Sequence, residues 1–105
     1  MSLVTVYAVF ATAGEAQRIG RIMVEEKLAA CVNLLGGISS IYRWQGKIEE
    51  STECAALFKT SSEAADRLIA RIAELHSYDV PCVESWPVGH ALKRYADWVE
   101  DNIAG

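Results

Sequence analysis

Two extended segments on either side of Gln45-Gly46 restrict this chain more than any other feature. Ala30 to Leu35 reads as a strand, Ile38 to Trp44 continues it, and Lys47 to Lys59 runs back as a second long strand. Gly36-Gly37 interrupts the first arm. Paired glycines inside a strand mark a bulge or bend and not an end. Gln45-Gly46 suits a two-residue hairpin turn, because glycine permits the positive φ that primed turns demand. Each arm reaches about 14 residues, or roughly 45 Å at the rise of an extended strand.

The flanking segments supply what such a hairpin packs against. Val4 to Phe10 is β-branched and aromatic without helical period, which predicts a strand. Thr12-Ala13-Gly14-Glu15 has capping-box spacing, and Ala16, Ile19, Gly20 and Met23 then recur at helical intervals as far as Lys27. Thr60 to Glu63 repeats that spacing ahead of an apolar stripe of Ala65, Leu68, Ile69, Ile72 and Leu75, with Glu63 and Arg67 placed as an i,i+4 pair. Ser77 to Pro81 reads as a loop, Cys82 to Pro87 as a short strand, and Leu92, Tyr95, Ala96, Val99 and Ile103 as a closing helix. The order predicts an α+β fold: a ferredoxin-like split βαβ unit (β-α-β-β-α-β) with an antiparallel sheet and an added C-terminal helix. At 105 residues, the chain is expected to form one domain over positions 1–105.

Helices of about 14 residues cover only some 21 Å. Part of the hairpin must therefore project beyond its own core. Its tip carries Ile41, Tyr42, Trp44 and Ile48, residues that gain most from burial. A projecting apolar ribbon is also an unprotected sheet edge, which monomers avoid. The economical outcome is packing of the ribbon on neighbouring copies in a closed homo-oligomer, with Tyr42 and Trp44 as interface anchors.

Composition narrows the partners. The net charge is −4 and the ten Lys and Arg are scattered singly, so no basic stripe for nucleic acid is present. No apolar run approaches the roughly 20 residues of a membrane span. The opening residues lack a basic region followed by a long apolar stretch, so no secretory signal is expected. Three cysteines without regular spacing make no disulfide framework, and a reduced, cytoplasmic protein is expected.

An enzyme is not expected. The loop Ala11-Thr12-Ala13-Gly14-Glu15 has neither the arginine of an acylphosphatase-type phosphate loop nor the CxxC of a ferredoxin-like copper chaperone. No activated serine, Cys–His pair or carboxylate pair falls within one local element.

The soft-ligand candidates are Cys31, Cys54, Cys82, His76 and His90, none in a CxxC or HxxxH pair. If Trp44 pairs with Lys47, then Cys31 faces Thr60 and Cys54 faces Gly37. Those two thiols lie about six residues apart along the ribbon, roughly 20 Å, too far to share an ion. Cys54, leading into Ala55 to Phe58, reads as a small apolar core residue. Cys82 and His76 flank one short loop and form the better-spaced pair, although a loop histidine more often hydrogen-bonds its neighbours than binds a metal. A second, polar constellation comprises Lys47, Glu49 and Glu50 on the hairpin, Lys59 at its base, and Tyr78 and Asp79 in the loop. In a ring of subunits these residues line a cleft for a small anion or cation, or pair across subunits to fix register.

Ala30-Cys31-Val32-Asn33, Ser40 to Glu50, Lys59-Thr60, His76 to Pro81, Trp86-Pro87-Val88 and Tyr95 to Val99 occur in an order that closely resembles the CutA divalent-cation-tolerance family. The resemblance implies a ferredoxin-like subunit assembled as a homotrimer, similar in architecture to the PII signalling proteins. It also implies a cytoplasmic role linked to copper and other divalent metals, and links Cys31 to copper. Three positions depart from the family pattern: Gly36 and Ser77 replace prolines, and Cys82 replaces a glutamate. The last exchange favours softer ions if metal binds near His76. The expected function is a trimeric copper or divalent-metal module with Cys31, His76 and Cys82 as metal ligands. The alternative is a PII-like trimer that senses a small metabolite in the inter-subunit cleft.

Overall fold

The protein is described by a computed structural model that covers residues 2–104. These residues form β1 (Leu3–Phe10), α1 (Ala13–Glu25), β2 (Cys31–Trp44), β3 (Lys47–Ser61), α2 (Ala65–Leu75), β4 (Val83–Pro87) and α3 (Lys93–Asp101). The four strands make one sheet in the order β2-β3-β1-β4, antiparallel at every junction.

Alternation along β1 sorts the sheet into two faces. Val6, Ala8 and Phe10 point to the side on which α1 and α2 lie, and with Ala56, Phe58, Ile19, Met23, Leu68 and Ile72 they form the main core. Leu3 points the other way and packs with Ala30 and with Val99 of α3. That helix covers only the end of the second face where β1 begins. Beyond it on this face Thr5, Tyr7 and Leu57 are half-exposed, while Val9 and Ala55 are buried.

The hairpin turns through Gln45 and Gly46 at φ of 50° and 83°, the paired positive values of a type I′ turn. β1 pairs with β3 only from Leu3↔Ser61 to Phe10↔Cys54, whereas β2 stays paired to β3 out to Trp44↔Lys47. From Ile38↔Glu53 onward the ribbon is two strands wide, roughly 23 Å of free length. The long axis of the subunit is 45 Å, the length expected of the arms.

The glycine pair in β2 produces the expected irregularity. Register shifts between Leu34 and Gly36, with Gly36 at φ 83° and Leu35 as the extra residue. Cys54 faces Gly37 as expected, but Cys31 faces Lys59 and not Thr60, because the bulge slips the pairing by one.

The start of α2 differs from expectation. Extended backbone persists through Ser61, so Thr60 is a buried strand residue whose hydroxyl donates to the Leu28 carbonyl at 2.8 Å. The helix begins later, with Ser61 Oγ accepting from Ala64 N–H at 3.3 Å. Arg67 donates to the Ala104 carbonyl and not to Glu63. At α1 the Thr12 half of the cap forms as read, with Glu15 N–H donating to Thr12 Oγ1 at 3.1 Å, but Glu15 Oε1 accepts from Ala11 N–H at 3.3 Å, one residue before the N-cap.

Helix α1 approaches β2 closely at Gly20, where an added Cβ would stand 2.9 Å from Val32 Cγ1. Gly20→Val is expected to lower the unfolding free energy by about 2 kcal/mol through overpacking. Urea denaturation checks this, and parent-like stability would mean that helix and strand separate without cost.

Candidate functional site

The loop from His76 to Cys82 is fastened to the end of the sheet by a chain of polar contacts. His76 follows α2 and stacks on Phe10 with ring centroids 4.9 Å apart. Its side chain is fully buried. Nε2 lies 2.7 Å from the Val9 carbonyl, which can only accept, so Nε2 carries the proton. Nδ1 then accepts from Tyr78 N–H at 3.0 Å. Both ring nitrogens are occupied by the backbone.

Glu15 fastens the same loop from α1. Its Oε2 accepts from Ser77 N–H at 2.8 Å and its Oε1 from Ser77 Oγ at 3.0 Å. Burial raises the pKa of this carboxyl, but the hydrogen bonds from Ser77 and Ala11, with His76 nearby, outweigh it and the net shift is downward. Tyr78 continues the chain to the ribbon, donating from its phenol to Glu53 Oε2 at 2.6 Å. Burial and the Glu53 carboxylate push that phenol far above its ordinary value, so it remains a donor. Glu53 is itself buried where the free ribbon begins, and Tyr42 shares a 3.2 Å hydrogen bond with Ser51 on the ribbon.

Beside this strap, Trp86 stacks on Tyr7 at 4.9 Å and donates from Nε1 to Glu84 Oε2 at 2.6 Å. The exposed Cys82 precedes β4. Burial, Glu84 and Glu53 raise its thiol pKa, which disfavours the thiolate needed of a nucleophile or metal ligand. Cys31 lies half-buried at the far end of the same face, opposite Lys59. It is four residues along β1 and three strands across from Cys82, or roughly 20 Å.

The expected ligand set is therefore not assembled within one chain. His76 sits next to the Cys82 loop, but its nitrogens are taken, and Cys31 is remote. Among the described residues no group of three or more His, Cys, Asp and Glu side chains converges as a metal site. The polar constellation is also spread out. Lys47, Glu49 and Glu50 are exposed near the ribbon tip, about 30–40 Å from Lys59 if the strand is straight. Tyr78 is tied to Glu53, and Asp79 is exposed. Tyr42 and Trp44 lie exposed on the ribbon. Cys54 packs against the main core.

Glu53, Tyr7, Glu84 and Trp86 are the members of this region that sequence reasoning missed. Glu53 had one signal: it is the acidic residue immediately before the apolar run Cys54 to Phe58, where the strand enters the sheet.

These features define an α+β domain with an antiparallel sheet, an open second face and a two-stranded ribbon projecting from its edge. The chain belongs to the CutA1 divalent ion tolerance protein family, whose sequence profile matches residues 4–102. The divalent-cation tolerance protein CutA of Thermus thermophilus is 42% identical over 87 residues, which span 83% of this chain and 84% of that protein. A crystal structure of CutA from Xylella fastidiosa superposes with a TM-score of 0.95 at 35% identity, over 99% of this chain and 100% of that one. An Archaeoglobus fulgidus CutA, described as a periplasmic divalent cation tolerance protein, superposes at 0.94 with 36% identity over 97% and 99% of the two chains. The Thermus and Archaeoglobus relatives are named as divalent-cation tolerance proteins.

The Glu15 strap has a measurable consequence. Its carboxyl titrates lower folded than unfolded, so its stabilisation is present above the ordinary value of 4.5 and is lost as pH falls through the lower folded value. Glu15→Gln is expected to cost about 1–2 kcal/mol at pH 7. The gap to the parent should close once pH falls below that lower folded value. Denaturation above and below that value checks this; a gap independent of pH would refute the charge-based account.

Proposed function

We propose that the protein serves divalent-cation tolerance as a homotrimer, with metal contact completed between subunits. Membership of the family over residues 4–102 carries the cation part of this reading. The arrangement of β1 and β3 at the sheet centre, with α1 and α2 on one face, supports a ferredoxin-like description of the subunit.

Self-association rests on the ribbon. Ile41 is 71% exposed, Ile48 60% and Trp44 44%, all on a two-stranded extension with free edges. Packing these side chains and the open face against another copy removes apolar surface from water at about 25 cal/mol per Å². A contact from one copy's ribbon to the next copy's sheet is heterologous and closes into a ring, for which the family resemblance implies three members.

Cys31, His76 and Cys82 remain the proposed soft donors, but they do not fit a site within one chain. Cys82 is the accessible member, and its thiol would have to lose a proton on binding. His76 would have to surrender two hydrogen bonds, so its proposed contribution is to position the Cys82 loop. Copper is the proposed ion, since thiol donors favour soft metals. Three unpaired thiols also suit a reducing, cytoplasmic location. A metabolite sensor built on the polar cleft is less favoured, because those residues are spread along the ribbon.

Native mass spectrometry with copper titration tests both parts. The parent should give three subunits, and Ile41→Glu with Trp44→Glu should shift it to monomer. Saturable copper uptake lost in Cys82→Ser, with trimer intact, is the expected metal result. A monomeric parent would refute the assembly, and uptake unchanged in Cys31→Ser and Cys82→Ser would refute the thiol site.

A further inference from the structure

A cavity away from the His76 loop lies between α3 and the end of the sheet where β1 begins. It measures about 420 Å³, within the range of small-molecule sites. Leu3, Val88, Leu92 and Val99 give it an apolar wall. Its charge is unusual for this protein. The chain carries 14 Asp and Glu against 10 Lys and Arg, yet no carboxylate residue lines the cavity.

Lys59 does line it, and among the described residues that ammonium makes no ion pair. His90 adds an imidazole, which is neutral or cationic but never anionic. Tyr95 supplies a phenol, an uncharged donor, next to the Cys31 thiol across the sheet end. One fixed positive charge with neutral donors beside an apolar wall matches a monoanion with a hydrocarbon body. A dianionic phosphate would need more charged donors than the cavity offers.

We propose that this cavity binds a small organic carboxylate, its carboxyl group on Lys59 and its apolar body between Leu3, Val88 and Val99. The cavity lies in the region where Cys31 faces Lys59, at the opposite end of the sheet from the Cys82 loop. The irregular segment Val88 to Leu92, between β4 and α3, forms its outer wall. Leu92 is 68% exposed there, so an entering ligand would cover a side chain that now faces water.

Phenylacetate and its uncharged counterpart 2-phenylethanol are the probes, read by amide chemical shifts of the assembled protein. Phenylacetate should give saturable shifts confined to Lys59, Val88 to Leu92 and Tyr95, with a Kd on the order of 1 mM, as a ligand of its size permits. The alcohol should bind at least tenfold more weakly, as should phenylacetate to Lys59→Met. The comparison of two probes on the parent protein stands even if that variant folds poorly. Equal binding of acid and alcohol would overturn the proposal, as would stronger shifts with inorganic phosphate. Absence of saturation by about 20 mM, the result expected if another copy fills the cavity, would overturn it too.

Discussion

The pairing of β2 with β3 beyond the reach of any third strand is the constraint on which the rest depends. A ribbon of two strands satisfies half of its backbone groups internally, but it buries neither face. Ile41, Tyr42, Trp44, Ile48 and their neighbours are left in water for that reason. The inner part of the same hairpin is a structural opposite. From Cys54 to Lys59, β3 is flanked on both sides and supplies Ala56 and Phe58 to the core. One continuous element thus anchors the domain at one end and offers an adhesive surface at the other.

The junction between those two regimes is where polar chemistry collects. Glu53 stands at the first position past the end of β1, and Tyr78 closes over it with a short hydrogen bond. That phenol belongs to the loop that His76 and Glu15 fasten to β1 and α1. The strap therefore couples the base of the ribbon to both helices. Its donors and acceptors are used up in holding this geometry, so a histidine that looks like a ligand in the sequence is a structural peg in the fold. Under the proposed function, cation handling falls to groups that assembly brings together.

The two faces of the sheet divide the labour. α1 and α2 seal one face with a continuous apolar core, which gives the subunit its stability. α3 reaches only one end of the other face, leaving a cavity beneath it and a half-exposed surface beyond it. Both of the proposed activities, self-association and small-ligand binding, use this less completed face.

Much of this was legible in the residues. Turn chemistry at Gln45-Gly46, period-2 and period-3.6 patterns, and the Thr12–Glu15 cap are local signals, and local geometry alone decides them. The element order and the length of the ribbon followed, as did the bulge at the paired glycines. Other features required the assembled molecule. Thr60-Ser-Ser-Glu63 has the spacing of a helix cap, but Thr60 became a strand residue because its hydroxyl found the Leu28 carbonyl across the fold. The slip that sets Cys31 against Lys59 depends on which residue of the bulge leaves the ladder. The state of His76 was fixed by Val9 and Tyr78, one of them far away in sequence. Sequence determined the elements, because propensity and turn geometry act between neighbours. Tertiary structure decided which polar groups stay free, because a donor's partner is whatever packing brings within 3 Å of it.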